Sequence, residues 1–260
     1  MYKHNNKMKI IFNNFLLKTN YLEKLLISLV FLFPLMLSIS IFVADLFASL
    51  SALIIIVLFF FKENRKIIIQ IKNELYYFLI FYFVVLISLF FSISFEKSFL
   101  PSFFYFRYFL FVIGIYYLLK KYTFFINIFF YSLVFTFTLV SIDSAIQYIL
   151  GINFFGYRVN YIDDPTPYIT SFFHDEKKLG SYLVRLLPLF LSLFYFLNLK
   201  KFPSYIILIL GFFIFLSSER TALFLYFIVL LFYLIILKNK IKFLLISSLI
   251  MIVIFSFNKN

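Results

Sequence analysis

Most residues of this 260-residue sequence that could do chemistry lie in one stretch, 143–188, and in the short turn 217–220. The remainder consists largely of long runs of Phe, Leu and Ile. An ionisable side chain in hydrocarbon costs at least a few kcal/mol, so such a chain is expected to keep charges inside it only where they are needed. The search for a site therefore begins with these polar residues.

Two groups of acidic and amide side chains stand out in this stretch. Asp175 and Glu176 are candidates for a general acid or base, but a carboxylate at this place would equally cap a helix and interact with its dipole. Asp143 and Gln147 are four residues apart, so on a helix they share a face and could act together as polar supports. His174 is one of two histidines, and a single loop histidine is more often a surface residue than a catalyst.

Three arginines, Arg107, Arg185 and Arg220, are candidates for binding an anion. A guanidinium group binds phosphate oxygens in pairs and stays charged at any physiological pH. The alternative is that each arginine pairs with a carboxylate, such as Asp143 or Glu219, and fixes the register of its helix. Arg220 is the strongest candidate for anion binding, because it lies in a short turn and no long loop there needs it.

The composition indicates what kind of scaffold must position these residues. Mean hydropathy is +1.04, with 64% hydrophobic and 13% charged residues, whereas soluble domains contain about 45–50% apolar and about 25% charged residues. The sequence therefore predicts an all-α, polytopic transmembrane helical bundle. Its 44 Phe and 20 Tyr are given no functional weight, because Phe, Ile, Asn, Lys and Tyr are all frequent throughout the chain.

About nine transmembrane spans are predicted, since one span needs about 20 apolar residues. They form a transmembrane domain, 25–260, after a basic N-terminal segment, 1–24. The predicted spans are 25–44, 46–61, 75–95, 101–121, 123–142, 179–199, 202–216, 221–237 and 243–257. Asp45 is expected in a tight outer turn between the first two. Asp175 would cap the sixth span, and Arg185 would lie near the middle of the membrane.

Basic residues set the expected orientation of the chain. Most of the 24 Lys and Arg residues fall in segments that are cytoplasmic if the N-terminus is cytoplasmic, which agrees with the positive-inside rule. An outer loop then covers about 143–178. The net charge of +13 is explained in this way, so membrane lipids are expected around the chain and no nucleic acid. Without cysteine or a His-rich spacing, no metal site and no cofactor are expected.

Four short passages resemble the O-antigen ligase and polymerase family of bacterial membrane glycosyltransferases. They are 106–111, 143–156, 173–188 and 218–223. The last, Ser-Glu-Arg-Thr-Ala-Leu, is similar to that family's Ser-x-Arg-Thr-Ala signature. The order of the passages, and their places at the outer ends of predicted spans, carry the resemblance.

The resemblance implies an enzyme of the bacterial inner membrane that acts on the periplasmic side, in lipopolysaccharide or other cell-envelope polysaccharide assembly. Such enzymes transfer or polymerise glycan from undecaprenyl diphosphate onto lipid A-core or a growing polysaccharide, without a metal. Arg107, Arg185 and Arg220 would bind the diphosphate and stabilise the charge that builds on this leaving group.

The resemblance also implies supporting residues and further segments. Asp143, Gln147, Asp175 and Glu176 would be polar supports of the diphosphate site, and Asp175 and Glu176 remain the candidates for catalysis as general acid or base. Family members continue into a long periplasmic loop and further spans, whereas this sequence ends at Asn260, so we expect transfer activity to be incomplete in this chain. Two alternatives remain: a non-enzymatic transporter or flippase of lipid-linked sugars, and an inactive truncated fragment.

Overall fold

The computed structural model of this protein describes residues 19–159, 168–174, 176–197, 199 and 203–236. Within them the chain is all-helical, with one isolated antiparallel bridge between Ile152 and Arg158. The α-helices of these residues are α1 Tyr21–Ile39, α2 Ile41–Phe59, α3 Lys62–Ile69, α4 Lys72–Ser88, α5 Phe95–Phe103, α6 Phe106–Lys121, α7 Phe125–Leu150, α8 Leu179–Phe196, α9 Pro203–Leu216 and α10 Arg220–Ile236. Two 3-10 turns, Leu89–Phe91 and Ser171–Phe173, lie between them.

Six helical segments of the described residues are long and apolar enough to cross a membrane. They are Tyr21–Ile39, Ile41–Phe59, Glu74–Phe91, Phe95–Lys121, Phe125–Leu150 and Leu179–Phe196. Two shorter apolar helices, Tyr205–Leu216 and Arg220–Ile235, follow them. The prediction of an all-α, membrane-embedded protein is therefore confirmed. The ninth predicted span, 243–257, lies outside the described residues.

The chain divides into two compact units, Met1–Phe129 and Phe130–Asn260. In the first unit, α1, α2 and α6 pack together around a buried apolar core. Leu26 and Val30 of α1, Ile55 and Leu58 of α2, and Leu118 of α6 are buried there. In a membrane these helices associate mainly through close van der Waals packing, since lipid is as apolar as leucine.

The turn between α1 and α2 lies at Ser40, and the prediction that Asp45 makes this turn is wrong. Ser40 has an extended backbone, with φ −158° and ψ 123°, and its side chain accepts a hydrogen bond from the Val43 N–H at 3.5 Å. Serine is a favoured residue at such a helix start, because its hydroxyl accepts from a free N–H of the first turn. Asp45 therefore lies inside α2, where it bonds Arg107.

A buried polar cluster joins α1, α3 and α6 within the first unit. The Glu23 carboxylate accepts hydrogen bonds from Tyr117 Oη (2.5 Å), Lys121 Nζ (2.6 Å) and Tyr122 Oη (2.6 Å). Lys121 Nζ also donates to Asn64 Oδ1 at 2.8 Å. Burial raises the pKa of the Tyr122 phenol, and the Glu23 carboxylate raises it further. Tyr122 therefore stays protonated and continues to donate to Glu23.

In the second unit, α8, α9 and α10 pack against one another. The rings of Phe130 on α7 and Phe190 on α8 stack with centroids 5.4 Å apart. Gly211 of α9 permits a close approach of α10, since a Cβ there would lie 2.5 Å from Cζ of Tyr226. The Tyr226 hydroxyl donates to the Ile207 carbonyl at 3.1 Å. Small residues at such crossings allow transmembrane helices to approach closely.

Helix α7 is longer than the predicted span 123–142, because it continues to Leu150. The sequence suggests an end at Asp143, where the apolar run stops. In the structure Asp143 and Gln147 are fully buried in the last turns of α7 and are bonded to the loop that follows. Paired polar groups of this kind do not interrupt a helix, because their hydrogen-bonding needs are met.

Candidate functional site

Gln147 attaches the segment 168–173 to the end of α7. Its Oε1 accepts hydrogen bonds from the backbone N–H groups of Thr170 (2.9 Å) and Ser171 (2.7 Å). Its Nε2 donates to Thr170 Oγ1 at 3.1 Å. All three residues are buried. Gln147 thus serves as a fixed anchor for this segment.

Asp143, one turn earlier on the same face, anchors the loop at two further points. Its Oδ1 accepts from the Phe154 N–H at 2.9 Å, and its Oδ2 accepts from the Ser171 hydroxyl at 2.7 Å. Asn153 contributes from within the loop, because its Nδ2 donates to the Ser171 carbonyl at 2.6 Å. The prediction that Asp143 and Gln147 share a face is confirmed, and the structure shows both holding the loop.

Ser171 is held in an unusual backbone conformation by these contacts. Its φ of 52° lies in the left-handed region, which residues with a side chain adopt only at some cost, of order 1–3 kcal/mol. Its N–H, hydroxyl and carbonyl are bonded by Gln147, Asp143 and Asn153 respectively. These bonds offset the strain and fix the path of the chain that leads toward α8.

Glu219, in the turn between α9 and α10, caps the N-terminus of α8. Its carboxylate accepts from the N–H groups of Gly180 (2.6 Å) and Ser181 (3.0 Å), and from the Ser181 hydroxyl. A negative charge is favourable there because free N–H groups and the helix dipole converge. Gly180 is required for this contact, since a Cβ would collide with Ser217 Oγ and lie 3.0 Å from the Ala222 Cβ.

The turn 217–220 and the segment 168–173 therefore lie at the same end of the second unit. The Ile169 N–H donates to the Leu216 carbonyl at 3.2 Å, and Glu219 binds the start of α8. The ends of α7, α8, α9 and α10 meet at this place through contacts between buried groups. The second unit therefore brings these two segments together.

Arg185, on α8, and Arg220, at the start of α10, are both exposed, as is Arg158 in the loop after α7. Arg220 directly follows Glu219 and begins α10. Arg185 lies four residues after Ser181, so it is one turn further along the same side of α8, a rise of about 6 Å. Neither arginine has an ion pair or hydrogen bond with any other residue that the structure describes. Both guanidinium groups are therefore unpaired within the part of the chain that the structure describes.

The helix that carries Arg185 begins later than the sequence predicts, and the predicted depth of Arg185 in the membrane stays a prediction. Helix α8 begins at Leu179 with Lys178 as its N-cap, three residues later than a cap at Asp175 requires. Arg185 is therefore only about 9 Å from the start of the helix. At this later start the Glu219 carboxylate accepts from the N–H groups of Gly180 and Ser181, the second and third residues of the helix. Asp175 itself lies outside the described residues.

Arg107 belongs to the first unit and is engaged there. Its Nη2 lies 2.8 Å from Asp45 Oδ2, and the Tyr108 hydroxyl donates to the other Asp45 oxygen at 2.5 Å. Arg107 Nη2 also donates to Tyr108 Oη at 3.0 Å. This is the alternative considered for the three arginines, a carboxylate pair that fixes helix register, although the partner is Asp45 and not Asp143 or Glu219.

Glu176, the acid–base candidate that the structure describes, is an exposed residue between the 3-10 turn 171–173 and α8. Glu176 forms an ion pair with Lys178. His174 is also exposed, with a φ of 55°, and its ring meets the Tyr157 ring edge-on at a centroid distance of 4.4 Å. Among the described residues there is no group of three or more His, Asp or Glu side chains that could hold a metal ion.

Sequence reasoning missed the roles of Glu219, Asn153 and Ser171. Glu219 was considered only as a partner of an arginine, although a carboxylate that precedes Arg220 in a turn can reach the start of a neighbouring helix. Gly180 was the available signal, because a glycine among the large side chains of α8 indicates that another segment packs closely against it. Asn153 and Ser171 gave no signal, because their roles depend on a loop path that spacing does not reveal.

Comparison with known proteins gives no further guide to this surface. No family model, no curated protein and no solved structure matches the chain.

Proposed function

We propose that this protein binds the diphosphate of a lipid-linked glycan at the surface of the second unit, through Arg185 and Arg220. We further propose that it takes part in transferring or polymerising such glycans in O-antigen or other surface-polysaccharide assembly. One observation carries the proposal: two exposed arginines, which have no partner among the residues that the structure describes, lie on a surface whose backbone is fixed by buried Asp143, Gln147 and Glu219.

The chemistry of this surface suits an anionic leaving group. Transfer breaks the bond between the sugar anomeric carbon and the diphosphate oxygen, and it forms a bond to an acceptor hydroxyl oxygen, whose proton passes to a base. Negative charge then builds on the diphosphate, and guanidinium groups already in position stabilise it. Glu176 and Asp175 remain the candidates for the base. The acceptor, lipid A-core or polysaccharide, would approach from the exposed loop side.

Rigidity is the second support for the proposal. A site must hold its ligand groups closely in position, and this is best achieved when neighbouring residues lock the backbone. Glu219 is bonded to two N–H groups of α8, so the residue that follows it, Arg220, has a fixed main-chain position. Arg107 is bonded to Asp45, so the proposal rests on Arg185 and Arg220 alone.

We propose nine spans with a cytoplasmic N-terminus, and an active face on the periplasmic side of a bacterial inner membrane. The positive-inside distribution of Lys and Arg supports this orientation. The hydrogen bonds from Gly180 to Glu219 and from Ile169 to Leu216 support a common side for both arginines.

The proposal is tested by replacing Arg220 in the full chain and measuring the binding of undecaprenyl diphosphate in detergent. Arg220→Lys keeps the charge but loses paired hydrogen bonds, and charge-assisted bonds contribute about 1.5–3 kcal/mol. Affinity should fall about 10- to 150-fold, and further for Arg220→Ala. Arg185→Lys should behave similarly, while undecaprenol, which lacks the diphosphate, should bind all forms equally.

Arg158 provides the matched control, since it is an exposed loop arginine with no part in the proposed site. Arg158→Lys and Arg158→Ala should leave the affinity within about twofold. An equal loss of affinity in the Arg158 and Arg220 variants would indicate general electrostatic attraction, and it would overturn the proposed site. Transfer of radiolabelled glycan to an acceptor distinguishes an enzyme from a transporter, because a transporter binds the same diphosphate without forming a glycosidic bond.

A further inference from the structure

An apolar groove of about 380 Å³ lies in the first unit between α2, α3, α4 and α6. Its lining side chains are all apolar, and they include Ile56 and Phe59 of α2 and Ile69 of α3. The volume is within the range of about 300–1,000 Å³ that is common for ligand pockets. Because the lining offers no polar partner, the occupant of the groove itself must be hydrocarbon.

Basic side chains follow the groove along the exposed side of α3. Lys62, Arg65, Lys66 and Ile69 stand at positions i, i+3, i+4 and i+7, so they share one face of the helix. All four are exposed, and Ile69 is itself part of the groove wall. The opposite side of α3, with Asn64 and Ile68, is buried. A cationic surface therefore runs directly onto an apolar wall.

Arg65 lies where the basic face of α3 meets the apolar groove. Its guanidinium carbon lies 5.2 Å from the ring centroid of Phe59, and Phe59 lines the groove. A cation over an aromatic face is held by the ring's negative potential. The charge of Arg65 is thus held beside the groove.

These cations have no acidic partner among the residues that the structure describes. Lys62, Arg65 and Lys66 form no ion pair there, and Glu63 is the single acidic residue of α3. Charges so close to an apolar groove are complementary to an amphiphile with an anionic head and a hydrocarbon tail. Basic clusters beside membrane helices bind anionic lipid headgroups for this reason.

We propose that this groove binds one anionic phospholipid, with an acyl chain against Ile56, Phe59 and Ile69 and its phosphate beside Lys62, Arg65 and Lys66. This site, the α3 lipid site, lies in the first unit and is independent of the proposed glycan chemistry. Either proposal stands if the other fails.

The test measures binding of two lipids to the full chain in detergent by native mass spectrometry. The probes are dioleoylphosphatidylglycerol, which is anionic, and dioleoylphosphatidylcholine, which has the same chains but no net charge. The unaltered chain should bind the anionic lipid at least about tenfold more tightly. The triple variant Lys62→Gln, Arg65→Gln, Lys66→Gln should reduce this preference to about twofold or less. Glycerol phosphate alone should not displace the lipid.

A second triple variant distinguishes an effect of the α3 lipid site from an effect of the net charge of the protein. Lys97→Gln, Lys120→Gln and Arg158→Gln remove the same charge from exposed positions elsewhere, and this variant should keep the tenfold preference. Equal loss in both triple variants would overturn the proposal, as would an unaltered chain without preference. Displacement of the lipid by glycerol phosphate would also overturn it, because it would show a site for the free anion.

A third comparison tests the groove while keeping the cations. Ile56→Trp should fill the groove and weaken the binding of both lipids at least about fivefold. Leu53→Trp is the matched control, since Leu53 lies one turn earlier on α2 and is exposed to a similar extent, 58% against 41%. Leu53→Trp should leave both affinities unchanged. If Ile56→Trp binds both lipids normally while remaining folded by circular dichroism, the acyl chain does not lie in the groove.

Discussion

At the scale of single residues, Arg107 and Arg220 differ in whether a neighbouring carboxylate pairs with the guanidinium group. Arg107 shares its charge with Asp45, whose two oxygens are occupied by Arg107 and Tyr108. Glu219 lies next to Arg220 in the chain, yet its oxygens are occupied by backbone and hydroxyl groups at the start of α8. Among the described residues, Arg107 therefore has a carboxylate partner and Arg220 has none.

The Arg107–Asp45 pair can be tested by a double-mutant cycle on stability. The side chains are 29% and 35% exposed, so solvent screening keeps the coupling modest, at about 1 kcal/mol. Arg107→Gln and Asp45→Asn should each lower the free energy of unfolding in detergent, and the double variant should lose less than the sum. If Arg107→Gln leaves stability unchanged but weakens undecaprenyl diphosphate binding, Arg107 acts on the ligand and its pairing role is wrong.

At the scale of elements, the structure of the second unit depends on a cap supplied from a distant part of the chain. Glu219 satisfies two N–H groups of α8 from a turn 39 residues away, and it is only 8% exposed. Removing the carboxylate leaves these donors unpaired at a buried place. The start of α8, and with it the position of Arg185, therefore depends on the α9–α10 turn.

Replacing Glu219 should destabilise the second unit strongly. Glu219→Ala should lower the free energy of unfolding by about 2–3 kcal/mol, because a helix cap and charge-assisted bonds are lost together. Gly180→Ala should cost about 1–3 kcal/mol through overpacking, and Ser217→Ala should recover part of it by removing the colliding hydroxyl. Unfolding by sodium dodecyl sulfate, followed by circular dichroism, measures these changes.

Glu96→Ala is the control for this series, since Glu96 is exposed in the first unit and surface substitutions usually change stability by less than about 0.5 kcal/mol. An unfolding free energy for Glu219→Ala that matches the Glu96→Ala value would contradict the capping role. The same result for Gly180→Ala would show that α8 and the turn can separate without cost.

The same contacts explain which parts of this structure could be predicted from the sequence. Runs of Phe, Leu and Ile predict where the helices lie, because a span needs a length of apolar residues that is easily recognised. The ends of the helices are harder to predict from the sequence. The sequence suggests a helix end at Asp143, which lies inside α7, and a turn at Asp45, which lies inside α2. In both cases a partner distant in the chain satisfies the carboxylate, and hydropathy contains no information about that partner.

At the scale of the whole molecule, the number of crossings between two sites fixes whether they face the same side. Three helical segments that can cross a membrane lie between α3 and the loop after α7: Glu74–Phe91, Phe95–Lys121 and Phe125–Leu150. If each of these segments crosses the membrane, as the proposed nine-span topology requires, α3 and that loop are expected on opposite sides. The basic face of α3 favours the cytoplasm, so the surface with Arg185 and Arg220 is expected to face outward.

Labelling of single cysteines tests this arrangement directly, because the chain contains no cysteine. Arg158→Cys and Glu63→Cys are suitable positions, since both side chains are exposed and neither carries an assigned role. A membrane-impermeant maleimide should label Arg158→Cys in intact spheroplasts and Glu63→Cys only after permeabilisation. Asn160→Cys should behave like Arg158→Cys, whereas Asn198→Cys and Asn239→Cys should behave like Glu63→Cys; these three positions lie outside the described residues.

Labelling of Glu63→Cys alone in intact spheroplasts would invert the orientation and place the arginines in the cytoplasm. Labelling of both Arg158→Cys and Glu63→Cys would mean that one of the three intervening segments does not cross the membrane.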